Sequence, residues 1–220
     1  MNNQLTDLTL ILDRSGSMES VREALEESLG SLLKKQSQEP GKLLVSLVRF
    51  DDVVENVFVA IDVAGVRPIQ IHPRNSTALL DAVGSTIDAT GKRLAELTEA
   101  DRPGCVIVVV ITDGMENSSK KFDWAQVQQR IRQQTDQYQW QFIFLGANID
   151  AIATAGLLGI NAGDALDVAS DDQGTVDAVE SLSKGVKRKR DHMLLYASGP
   201  TPASFDNSDR EQQRRKPRAR

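Results

Sequence analysis

The chain has 220 residues, of which 40% are hydrophobic and 26% charged, with a formal net charge of −5; such ordinary globular usage excludes wholesale disorder and suits one domain, at most with a tail. No run approaches the roughly 20 apolar residues of a membrane helix, and Met1-Asn2-Asn3-Gln4 lacks the basic-then-apolar opening of a secretory leader. A single cysteine, Cys105, with only His72 and His192, excludes an internal disulfide and a zinc cluster and makes the cytoplasm the expected compartment.

Residues 5–12 form an apolar-rich run that stops at Asp13, which predicts a buried strand. Residues 19–36 place Val21, Leu25, Leu29, Leu32 and Leu33 at helical spacing. Pro40-Gly41 breaks the chain before a second strand over 43–50. The short Asp51-Asp52 link to a third β-rich run, 53–61, forces antiparallel pairing and a position at a sheet edge. A loop through Pro68, His72, Pro73 and Asn75 leads to a helix over about 78–97. Residues 105–111, Cys-Val-Ile-Val-Val-Val-Ile, are β-branched almost throughout and predict a central strand buried on both faces. A helix over 123–136, a strand 140–145, a helix 151–158, a short strand 165–168 and a last helix 171–195 follow.

This alternation predicts an α/β fold: a doubly wound, mostly parallel six-stranded sheet with one antiparallel edge strand and helices on both faces. The domain is expected over 1–196. Residues 197–220, opening on Gly-Pro-Thr-Pro and rich in arginine, are expected as a basic, disordered tail. Residues 187–220 carry 10 Lys and Arg against 4 Asp and Glu, which leaves the rest of the chain acidic. Nucleic-acid contact is therefore expected, if anywhere, only through the basic end.

Asp13-Arg14-Ser15-Gly16-Ser17 follows the first strand directly. A carboxylate with two hydroxyls at alternate positions, on a loop turned by glycine, is a compact set of hard oxygen donors of the kind Mg²⁺ takes. Asp113, in Thr112-Asp113-Gly114, stands in the same relation to the most apolar strand. In a sheet of order 3-2-1-4-5-6, strands one and four flank the topological switch point, and ligands bind outside their carboxyl ends. Asp13 and Asp113, 100 residues apart, are thus expected side by side. Thr77, in the loop before the 78–97 helix, can add a hydroxyl to the same crevice.

These residues resemble the metal-ion-dependent adhesion site of von Willebrand factor type A domains, which joins a D-x-S-x-S loop, a threonine from a second loop and an aspartate from a third. The resemblance implies that Asp13, Ser15, Ser17, Thr77 and Asp113 hold a divalent cation, Mg²⁺ or alternatively Mn²⁺. It implies direct coordination by the serines, and coordination directly or through water by the threonine and aspartates. It further implies an open position that takes an Asp or Glu of a partner protein. Asp-Arg-Ser-Gly-Ser-Met and the later Phe144-Leu145-Gly146-Ala147-Asn148 resemble stand-alone bacterial or phage members.

Ser15 and Ser17 also suit helix N-caps. Asn148 and Asp150 suit the cap of the next helix better than a site, and Arg14 has no role assigned. Glu116 and Asn117 are candidates for partner contact. Lys187-Arg188-Lys189-Arg190 is either a nucleic-acid patch or the solvated, dipole-compatible end of a helix.

A haloacid-dehalogenase-type phosphatase needs a second acid two residues after its aspartate, where this chain has Ser15. There is no nucleophile elbow, phosphate loop or dinucleotide fingerprint, and neither histidine belongs to a constellation. The expected function is a non-enzymatic, divalent-metal-dependent protein-interaction module without a membrane partner. A metal-dependent hydrolase and a nucleic-acid-associated factor acting through the tail remain as alternatives.

Overall fold

The computed structural model describes residues 1–196 and 199–214. One sheet runs in the order β3-β2-β1-β4-β5-β6. Its strands are β1 (Asn2–Asp13), β2 (Lys42–Phe50), β3 (Val54–Asp62), β4 (Pro103–Thr112), β5 (Gln141–Ala147) and β6 (Ala165–Val168). Only β2 and β3 pair antiparallel; all other neighbours are parallel. The hairpin at Asp51–Val53 is too short to do otherwise, whereas each parallel pair has room for a helical crossover. The helices are α1 (Arg22–Ser37), α2 (Leu79–Ala95), α3 (Trp124–Tyr138), α4 (Ala151–Leu158), α5 (Asp172–Tyr196) and α6 (Asn207–Gln213). The doubly wound sheet with one antiparallel edge is the architecture its sequence predicts. No helix among the described residues is long and apolar enough to cross a membrane.

The strand β4 shows why its sequence is so uniform. Ile107, Val109 and Ile111 enter one layer, with Leu8, Leu10 and Leu12 of β1, Leu25 and Leu29 of α1 and Leu182 of α5. Val106, Val108 and Val110 enter the other, with Leu79, Val83 and Ile87 of α2 and Val127 and Ile131 of α3. Helices on both faces leave no solvent side for a polar alternate.

The end of the chain departs from expectation. Residues 199–214 do not form a disordered tail. After α5 the chain turns back and buries Phe205, 3% exposed, in the layer shared by α1 and α5. It then forms α6, whose capping box joins Asp206 and Asp209. The glycines Gly163 and Gly185 admit this strap: a Cβ on them would lie 2.9 Å from Ala203 Cβ and 2.8 Å from the Ser204 carbonyl oxygen. Most of its anchors are polar, which is why composition conceals it. The Ser204 amide and hydroxyl donate to Asp164, and Arg210 donates to the Ala162 and Ala165 carbonyls. The Gln213 side chain accepts from the Ala169 amide and donates to the Gly174 carbonyl. Residues 197, 198 and 215–220, which fall under the same expectation, lie outside the described residues.

The basic run on α5 is largely spent inside the molecule. Lys187 pairs with Glu39 and Asp191, and Arg188 with Asp206 and Asp209. Lys189, 1% exposed, pairs with Asp164 at 2.8 Å. Arg190, 2% exposed, donates to Gln36 and to the Pro40 and Gly41 carbonyls. Lys189 and Arg190 belong to neither a nucleic-acid patch nor a solvated helix end, because their charges hold the strap and the α1–β2 turn against α5.

Candidate metal site

The β1–β4 register sets Leu12 beside Ile111, so Asp13 and Thr112 leave the sheet at one level. Asp13 is fully buried. One of its oxygens accepts the Ser15 amide at 2.7 Å, and the other accepts the Thr112 hydroxyl at 2.5 Å. The carboxylate is thereby oriented by its own loop and by the neighbouring strand together.

Beyond Asp13 the chain does not enter α1 at once. It forms a 3₁₀ turn, Gly16–Val21, with Ser15 at the cap position but making no side-chain cap bond. The serine hydroxyls point elsewhere. Ser15 Oγ and Ser17 Oγ stand 3.1 Å apart, and the Ser17 hydroxyl donates to Asp113 Oδ1 at 2.6 Å. Capping therefore does not account for either serine.

Thr77 arrives from the loop between β3 and α2. Its amide donates to Asn117 Oδ1 at 2.9 Å, and its carbonyl accepts the Asn117 amide at 3.0 Å. A Cβ placed on Gly114 would lie 3.1 Å from Thr77 Oγ1 and 3.9 Å from Ser15 Oγ. The two hydroxyls thus converge on the open side of this glycine, and any larger residue would crowd them. Asp13, Ser15, Ser17, Thr77 and Asp113 all meet at the carboxyl ends of β1 and β4.

Burial makes the two acids costly to ionise. It pushes the Asp13 carboxyl up from 3.8 to about 6, although hydrogen bonds from Thr112 and Ser15 oppose it, and the Asp113 charge adds to the rise. Burial also raises Asp113, against the bond from Ser17. Among the described residues neither carboxylate is paired with a Lys, Arg or His side chain; the nearby arginines Arg14 and Arg74 pair with Asp51 and Glu55 instead. Ser17 is the exposed member of the set, while Ser15, Thr77 and both aspartates are buried.

Several neighbours make hydrogen bonds that hold the loops around the site. Glu116 accepts the Leu80, Ser118 and Ser119 amides and the Ser119 hydroxyl. With Asp81, which accepts the Lys120, Lys121 and Phe122 amides, it seats the β4–α3 loop on the start of α2. Asp150 caps α4, and Asn148 accepts the Ser170 hydroxyl. Thr112 and Asn117 orient Asp13 and Thr77, a role that their sequence context does not announce. The proximity of Thr112 to Asp113 is the only local signal for the first.

No family model matches the sequence, and no curated protein matches it either. Solved structures do. Proximal thread matrix protein 1 from the mussel byssus superposes with a TM-score of 0.57 at 14% identity, over 83% of this chain and 46% of that one. A von Willebrand factor type A protein from Catenulispora acidiphila gives 0.54 at 15% identity, over 84% and 43%. The ArnB paralog VWA2 from Sulfolobus acidocaldarius gives 0.50 at 17% identity, over 83% and 45%. The chain has the von Willebrand factor type A fold. It spans less than half the length of these matched proteins.

The residues at the top of this type A fold suit a hard divalent cation. Among the described residues there is no group of three or more His, Cys, Asp and Glu placed for a metal. The donors here are instead two carboxylates and three hydroxyls, all oxygen, without thiolate or imidazole. Two buried acids with raised proton affinity and no countercharge fit a positive charge placed between them.

Proposed function

We propose that the chain is a non-enzymatic, divalent-metal-dependent protein-interaction module. Asp13, Ser15, Ser17, Thr77 and Asp113 are the residues that would hold Mg²⁺, and the bound ion would supply a Lewis-acidic position for an Asp or Glu of a partner protein. The observation that carries this reading is the pair of buried, uncompensated carboxylates set against converging hydroxyls. Thr112 and the Ser15 amide orient Asp13, and Asn117 orients Thr77, so the donors are preorganised before any ligand arrives. The serine hydroxyls are neutral donors. With only two acids in the set, the site retains enough positive character to attract a further carboxylate.

The test has two stages. Calorimetry should show Mg²⁺ binding that Asp13→Ala abolishes. An array of Asp- and Glu-bearing peptides should then show binding to the wild type that a chelator removes. Absence of metal binding overturns the site; metal binding with no chelator-sensitive peptide overturns the interaction role.

A further inference from the structure

Arg14 sits between Asp13 and Ser15, yet its side chain turns away from them and is 5% exposed. Its Nη1 donates to Glu55 Oε2 at 2.6 Å, and its Nε lies 3.2 Å from Asp51 Oδ2. Its main chain is bound on both sides: the amide donates to the Phe50 carbonyl, and its carbonyl accepts the Arg74 amide, each at 2.8 Å. Asp51, fully buried, carries the connection onward. Its carboxylate accepts Arg74 Nε at 2.5 Å, and its carbonyl accepts the Ala78 amide at 2.7 Å. Arg74 and Ala78 bracket Thr77. Asn75, between them, holds a left-handed conformation at φ 57°, with its side chain on Asp52 and its carbonyl accepting the Gly16 amide.

The hairpin between β2 and β3 therefore serves as a rigid block to which both hydroxyl-bearing loops are tied. Arg14 ties the serine loop to it, and Asp51 ties the threonine loop. We propose that Arg14 is a positioning residue for Thr77: through Asp51 it fixes the 74–78 loop, and with it the distance of the Thr77 hydroxyl from Ser15 and Ser17. This rests on the metal-binding reading above. Lysine at this position keeps the charge but cannot set one nitrogen on Glu55 and hold another beside Asp51 at once.

The experiment is a double-mutant cycle on Mg²⁺ affinity, with wild type, Arg14→Met, Thr77→Ala and the double variant. Arg14→Met should weaken Mg²⁺ by about 10-fold or more, as loss of groups that orient metal ligands does. In the Thr77→Ala background it should change affinity by less than about 2-fold, because the residue it positions is gone. Arg14→Lys should follow Arg14→Met. Hydrogen exchange of the 74–78 amides in chelator, read without any metal, should quicken in both Arg14 variants.

A buried Asp51 left short of a cation can unfold the single variant. The cycle is therefore repeated with Arg14→Lys in place of Arg14→Met, which keeps a positive charge beside Asp51. Equal losses of affinity with Thr77 in place and in the Thr77→Ala background, or unchanged 74–78 exchange, overturn the inference. Wild type that binds no Mg²⁺ overturns the metal reading instead, so the two failures are separable.

Discussion

Asp13→Asn should stabilise the metal-free protein near neutral pH while destroying its response to Mg²⁺. The wild-type carboxyl has its affinity for protons raised from 3.8 to about 6 by burial. The folded state therefore binds this proton more tightly than the unfolded chain does. Metal-free stability from this group is greatest below pH about 4, declines as pH rises to about 6, and is level beyond. Moving the titration from 3.8 to about 6, at ~1.4 kcal/mol per pH unit, sets a ceiling of about 3 kcal/mol at pH 7.5. Asparagine keeps the shape, still accepts the Ser15 amide, and offers its NH₂ to Thr112 Oγ1, whose own hydrogen can turn to the Gly114 carbonyl 3.2 Å away. For a chain of this size the ceiling corresponds to a rise of roughly 6–12 °C in melting temperature at pH 7.5 in chelator. The gain should shrink towards pH 4.5. Excess Mg²⁺ should raise the wild type by mass action and leave Asp13→Asn unmoved. A lower melting temperature for the variant in chelator at pH 7.5 would refute the reasoning, as would equal Mg²⁺ shifts in both proteins.

Ser15→Ala with Ser17→Ala should abolish Mg²⁺ binding in calorimetry while far-ultraviolet dichroism is retained, since neither hydroxyl caps a helix. Purified protein with Mg²⁺ or Mn²⁺ should show no turnover of phosphomonoester, phosphodiester or carboxylic ester substrates; activity lost in Asp113→Ala would favour a hydrolase. Phe205→Ala should cost about 3 kcal/mol in denaturant unfolding, because it empties a buried aromatic site. Truncation before residue 199 should destabilise by at least as much.

The sheet was legible because its signals are local and strong. The β-branched run of β4 could only be a doubly buried strand, and counting strands then brought Asp13 beside Asp113. Ser15 and Ser17 were legible for the same reason, being within four residues of Asp13. The residues that hold the site were not. Thr112 meets Asp13 across 99 positions, Asn117 meets Thr77 across 40, and Arg14 meets Glu55 across 41. No periodicity in the sequence encodes such pairings. The strap over 199–214 escaped for another reason: composition counts its single buried aromatic and misses the ion pairs, glycine approaches and glutamine bridges that secure it.

The proposed donors lie within residues 13–17 and at 77 and 113, which meet only once β1 lies against both β2 and β4. Half the chain must be closed into a loop before the first serine faces the distant acid, and that entropy is spent without any help from a ligand. Whatever binds at this rim recognises the finished sheet and not its precursors. Its effect should accordingly fall on the unfolding rate, which slows, while the folding rate stays where the bare chain sets it. A resident ligand would make such a protein persistent rather than quick to form.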